Sequence, residues 1–429
     1  MISQKEILEF CNLYNYNLRK SRNGRWIDQK CAADVVTVIA DCIYNYGLEH
    51  GDEFFTSIDI WHYKYAIDNI EAIFKKPGVE SAAARNEYDK FFQQPMEMLA
   101  NANVLYKEKR GNKNYYKISR LDILEYIAIR ERNALTFLQV YIEKVLRDSG
   151  IFHLFEQFFA LQTKDSYNNM KEGYSAFVIE NTPINGKVEC NRIFIKVLNP
   201  LAYARNARGT ERGTISDQII TYDMLMYNRN NFRDIYADKP KGVTRKEYAA
   251  THPVIVNNAY YHYQSTKAKR LLRAYNDTFR YSKTEYPQGI HTNDKAIHMH
   301  HIFPEAEFPE ICYYLENIIA LTPTQHLSYA HPDGRTQEIN EQYQQLLLLA
   351  KSERIKENLS GRNGEVIYEF GNFLYVLHIG FDDDEVLDID DMDFSSVVNA
   401  INVHYARNPY TVAEQHYGYV AEEHIKYNS

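Results

Sequence analysis

From Ala134 to Leu161 the apolar side chains Leu135, Leu138, Ile142, Val145 and Leu146, then Ile151, Leu154, Phe155, Phe158 and Phe159, form a long, strongly apolar face. Such a face must be buried, in a core or against a second subunit, and this limits what the chain can become. The chain has 429 residues. That is too long for one ordinary core, so two to four domains of roughly 100 to 150 residues are expected. A hydrophobic content of 45% with 25% charged residues is that of a globular protein and rules out dominant disorder.

Cys11, Cys31, Cys42, Cys190 and Cys312 are scattered and include no C-x-x-C pair. This argues against a disulfide framework and a cysteine-ligated zinc ribbon, and it fits a reducing cytoplasm. The start, Met1-Ile-Ser-Gln-Lys-Glu6, has no apolar stretch, so no secretory leader is expected. The longest purely aliphatic run, Leu346 to Ala350, is far below the roughly 20 residues that cross a bilayer. A cytoplasmic protein without a membrane span is the expectation. The 36 tyrosines suit half-buried packing and contacts to sugar, phosphate or bases.

The net charge of −8 argues against nucleic-acid binding until its distribution is read. Lys187 to Glu247 holds twelve Lys/Arg against seven Asp/Glu, and Lys267 to Lys283 holds six basic residues against Asp277 alone. The middle of the chain is therefore basic. Asp382-Asp-Asp-Glu385 with Asp388, Asp390, Asp391 and Asp393 gathers eight acids near the C-terminus. Their spacing is not that of a calcium loop, and a solvated face is the plainer account.

The first 80 residues read mostly as helices, with Val35, Val36, Val38, Ile39, Cys42 and Ile43 on a buried stripe. Ser81 to Ala102 is helix-like despite Pro95 and leads into two short runs, rich in β-branched and aromatic residues, around Gly111-Asn112. That is a hairpin signature. Helices followed by such a hairpin resemble a winged helix, a DNA-binding unit whose wing would carry Lys107, Lys109, Arg110 and Lys113 toward phosphates. A hairpin that is basic only for solubility is the competing account.

Between Tyr174 and Gln288 the reading is mixed α/β. Ser175–Glu180 and Arg192–Leu198 look like strands, and Lys267 to Phe279 looks helical. The loop Arg205-Asn-Ala-Arg208-Gly-Thr-Glu-Arg212 combines guanidinium with glycine, which lets a backbone approach phosphate while Arg forks onto phosphate or guanine.

Six of the fifteen histidines lie between His291 and His331. Adjacent strand residues point to opposite faces, so His300 and His301 are suited to different jobs, one binding metal and the other holding a proton. His326 and His331 would fall in the first turns of a helix opened by Pro323, although a spacing of five does not share a face well. No chemistry is expected of His291 and His298.

His300-His301-Ile-Phe-Pro304, followed by Asn317-Ile-Ile-Ala-Leu-Thr-Pro-Thr-Gln-His326, closely resembles the HNH motif of the ββα-metal nucleases. The likeness covers roughly residues 295 to 335. Weaker similarity to bacterial type II restriction enzymes with HNH domains extends to the 205–212 loop, to Asn228–Ile235 and to Lys239–Arg245. The resemblance implies His301 as general base and His300 and His326 as metal ligands. His331 stands near a third ligand position, one residue late. Asn317 is the motif's asparagine, grouped with the catalytic residues and usually bracing the hairpin loop. It further implies one divalent ion per site, Mg2+ first, with Mn2+ and Zn2+ as alternatives.

The expected fold is α+β and multidomain. A helical region with a winged-helix-like unit spans 1–130, an apolar helical linker or dimerisation segment 131–173, and a basic recognition region 174–290. An HNH domain at 291–355 and an acidic extension at 356–429 complete it. The expected activity is that of a sequence-specific endonuclease for double-stranded DNA, acting as a homodimer beside a cognate DNA methyltransferase. Arg205, Arg208, Arg212, Arg229, Arg245, Lys109 and Arg110 are the candidate DNA contacts. A nonspecific HNH nuclease, and a winged-helix DNA-binding protein with a structural zinc, are the rivals.

Overall fold

The computed structural model describes residues 2–74, 84–227, 251, 258–286, 294–330, 340–361 and 365–406. Over these residues the chain is mostly helical with small antiparallel sheets, an α+β composition. Chain contacts divide it into two units, Ile2–Asn257 and Asn258–Ser429.

In the first unit the helix Ala33–His50 is buried from Ala33 through Ile43, polar positions included, so it is central and not merely amphipathic. The helices Leu121–Ile129 and Glu131–Asp148 pack on it. Leu135, Leu138, Ile142, Val145, Leu146, Phe155 and Phe158 are all nearly inaccessible, with Leu135 the most exposed at 4%. The apolar face is therefore buried within its own unit at these positions, while Leu154 and Phe159 are half-buried.

Ser175–Glu180 and Arg192–Leu198 are not strands. They lie in the helices Lys164–Asn181 and Lys187–Ala204. β-branched and aromatic residues favour strands, but here Tyr174, Phe177 and Val178, and Ile193, Phe194, Val197 and Leu198, are the buried side chains, at helical spacing. Packing decided against propensity. The 205–212 segment, read as a loop, forms half of a hairpin instead, with β3 (Arg208–Glu211) antiparallel to β4 (Thr214–Ile219). Arg212, at φ +49°, and Gly213, at φ +83°, make its turn.

The earlier hairpin is present as β1 (Leu105–Arg110) antiparallel to β2 (Lys113–Ile118), following the helix Ala84–Asn101. Phe55 bridges to Tyr116 on β2 as a short third edge.

The second unit is built around β5 (His298–His301) and β6 (Ile318–Leu321), paired antiparallel from His298 opposite Leu321 to His301 opposite Ile318. The helix Asn258–Arg280 packs on this hairpin. In the C-terminal region the helices Glu341–Leu359, Phe370–Phe381 and Phe394–Ala406 bury side chains in this unit's core. Gly380 lies so close to Phe303 that a Cβ there would be 2.3 Å from the ring. No helix among the described residues is long and apolar enough to cross a membrane.

Candidate functional site

The site grows from β5 and β6. Between them the chain makes a loop from Ile302 to Asn317, and Asn317, fully buried, closes it. Its Oδ1 accepts from the Phe303 N–H at 2.8 Å, and its Nδ2 donates to the carbonyls of Phe303 at 3.0 Å and Ile311 at 3.3 Å. Asn317 thus works as a loop brace, with its side chain turned into the protein. Gln344 adds a bond from Nε2 to the Ile302 carbonyl at 2.7 Å, tying the loop to the Glu341–Leu359 helix.

After β6 the backbone enters a single π-helical turn, Gln325–Ala330, in place of a regular helix start. Gln325 anchors it. Its Oε1 accepts from Thr284 Oγ1 at 2.7 Å and from the Thr322 N–H at 3.1 Å, and its Nε2 donates to the Tyr286 carbonyl at 2.6 Å. With Gln325 fixed, the His326 ring sits against β5, 5.1 Å from the His300 ring in an edge-to-face arrangement. His298, two residues before His300 and so on the same face of the strand, stacks on His326 at 4.6 Å with the planes 19° apart. The sequence reading passed over His298, although the period of two was available to find it.

His301 faces a different environment, against the Asn258–Arg280 helix. Its Nε2 lies 2.8 Å from the Cys312 carbonyl, which can only accept, so Nε2 carries the hydrogen and Nδ1 is left basic. Ser265 Oγ is 3.2 Å from the same nitrogen and donates to Glu305 Oε2 at 2.9 Å. Glu305 Oε2 lies 3.8 Å from His301 Nδ1, and Glu305 Oε1 lies 3.5 Å from Nδ1 of the exposed His262. Burial first, then the Lys269 ammonium, pushes the His301 pKa down to about 4, against the pull of the Cys312 carbonyl and Glu305. Burial also lowers the Lys269 pKa, with Glu305 opposing. Ser265 and Lys269 carried no signal in the sequence, because the helix that supplies them is distant from β5 in the chain, whereas Glu305 lies only four residues after His301.

Beneath the hairpin lies a buried charged network. Glu285 accepts from the Ala320 N–H at 2.9 Å and from Tyr368 at 3.1 Å, and it pairs with Lys351 at 3.4 Å. Burial alone would raise the Glu285 pKa, but Lys351 and Arg280 hold it below the usual carboxylate value.

The candidate DNA contacts are not equally available. Arg205 pairs with Glu143 at 2.6 Å and lies over the Phe159 ring at 4.9 Å. Arg208 donates through Nε to the Ser216 carbonyl at 2.7 Å. Arg212 is exposed at the β3–β4 turn and Lys109 is exposed on β1. Arg110 pairs with Glu108 and covers Phe54 and Tyr115, while Lys107 pairs with Glu97. Arg229, Arg245, His291 and His331 lie outside the described residues.

The donor chemistry of His300 and His326 fits a borderline divalent ion. Two imidazoles bound side by side on one ion, with nitrogens about 2.1 Å from it, place their ring centres roughly 4.5–5.5 Å apart. Among the described residues no group of three or more His, Cys, Asp or Glu side chains is placed to hold a metal ion. No protein-family model, curated protein or solved structure matches this chain.

Proposed function

We propose that this chain is a divalent-metal-dependent HNH endonuclease acting on double-stranded DNA, in the manner of a type II restriction enzyme, with the second unit carrying the chemistry. One observation carries the reading. Asn317 closes a loop between paired strands that present His300 and His301 to different surroundings, and the next turn brings His326 to 5.1 Å from His300.

In this reading His300 and His326 hold the ion, which would stabilise charge on the scissile phosphate and the departing 3′-oxygen. His301 takes the proton of the attacking water at Nδ1, because the Cys312 carbonyl holds its tautomer. Glu305, 3.8 Å away, stabilises the imidazolium that results. A histidine held near pH 4 is neutral at physiological pH but a weak base. The negative charge of a bound phosphate raises its basicity toward the working range. The β1–β2 hairpin, as a winged-helix-like element, would offer Lys109 to phosphates, and the β3–β4 turn would offer Arg212.

The test incubates the full chain and His301→Ala with linear phage DNA in Mg2+, Mn2+ or EDTA and maps every end by sequencing. Discrete, metal-dependent ends that the variant reduces by about 100-fold or more support the reading. Random ends would make it a nonspecific nuclease, and intact DNA in all conditions would overturn the enzymatic reading.

A further inference from the structure

We infer that Lys269 binds the DNA phosphate on which His301 acts, an inference that rests on the nuclease reading above. The helix Asn258–Arg280 lies along β5, and two contacts fix the alignment. Ser265 Oγ is 3.2 Å from His301 Nε2 at the end of the strand, and Arg273 Nη1 donates to the Ile297 carbonyl at 2.8 Å just before its start. Lys269 stands one helical turn from each, on the same helix face, and so between them on the His301 side of the strand. Its ammonium acts on both His301 and Glu305.

Other cations of this helix are committed internally or lie in solvent. Lys267 donates to the Tyr263 hydroxyl at 3.2 Å, Arg273 pairs with Asp277 at 3.0 Å, Arg280 donates to Asn276 Oδ1 at 2.8 Å, and Arg270 is exposed. Lys269 is half-buried and makes no hydrogen bond or ion pair among the described residues. A cation partly withdrawn from water without a paired counter-charge favours an incoming anion. Glu305, the carboxylate that acts on it, is engaged elsewhere. Its Oε2 accepts from Ser265 at 2.9 Å, and its Oε1 lies 3.5 Å from His262 Nδ1. A phosphodiester brings one negative charge and acceptor oxygens, which suit the point charge and three donors of an ammonium.

The experiment measures binding of the full chain to a short DNA duplex in EDTA over a range of salt, so that neither metal nor cleavage enters. Lys269→Met keeps the stem and removes the charge. It is expected to weaken binding by about tenfold or more and to reduce the slope of log affinity against log salt by about one, whereas Lys269→Arg keeps the slope. A lysine whose stem only covers apolar surface would leave both quantities unchanged in Lys269→Met. A second measurement needs no variant. The duplex is expected to protect Lys269 of the wild type from acetic anhydride, read by peptide mass spectrometry.

Wild-type affinity and salt slope in Lys269→Met, or acetylation of Lys269 that DNA leaves unchanged, would overturn the phosphate role and leave the nuclease reading standing. A wild type that binds no DNA would overturn both.

Discussion

At the scale of single residues, the loop of the candidate site is braced by an asparagine whose partners are all backbone. Asn317 spends its amide on the Phe303 N–H, the Phe303 carbonyl and the Ile311 carbonyl. Replacing it by Ala leaves these groups in a buried loop without that partner, and buried polar groups so exposed cost about 1–3 kcal/mol apiece. Asn317→Ala is expected to lower stability by about 2–4 kcal/mol, read by urea unfolding, and to lose DNA cleavage. Wild-type stability in that variant would mean that the loop holds its shape without the brace.

At the scale of elements, the C-terminal helices support the hairpin. The Phe370–Phe381 helix approaches the loop through Gly380, which leaves 2.3 Å between a would-be Cβ and the Phe303 ring. Gly380→Ala is expected to destabilise by about 1–3 kcal/mol and to disturb the His301 side of the site, read by thermal melting and cleavage rate together. The Glu341–Leu359 helix contributes Lys351, whose pKa burial lowers to about 8 despite Glu285. Lys351→Met would leave Glu285 buried without its nearest cation, an expected loss of about 3–5 kcal/mol. If a double variant that also replaces Glu285 with Gln recovers much of this, the cost lies in the unpaired charge and not in packing.

At the scale of the whole molecule, acid should destabilise the fold from near neutrality downward. His301 titrates near 4 when folded against an ordinary 6.5. Between those values the unfolded chain binds more protons, so stability rises with pH across the window and is lost on acidification through it. Asp393 acts lower down. The hydroxyls of Ser395 and Ser396 hold its pKa at about 2. Its contribution is complete above the unfolded value near 3.8 and disappears as pH falls through about 2. Melting temperature against pH should therefore decline below 6.5 in the wild type and more shallowly between 6.5 and 4 in His301→Gln. Parallel curves would show that His301 is not buried in the neutral form.

Local pattern made several features legible in the sequence. The β1–β2 hairpin follows from two short runs rich in β-branched and aromatic residues around Gly111-Asn112, and the buried Ala134–Leu161 face follows from its apolar spacing. The grouping of His300, His301, Asn317 and His326 was legible because the motif residues lie close together in the chain. Tertiary packing alone decided the rest. It turned two strand-like runs into helices, whose buried side chains fall at helical spacing. It filled the apolar face from within, committed Arg205 to Glu143 and Phe159, and brought Ser265 and Lys269 to His301. Period and propensity act over a few residues, whereas burial and ion pairing are settled by groups far apart in the chain, and no short pattern encodes them.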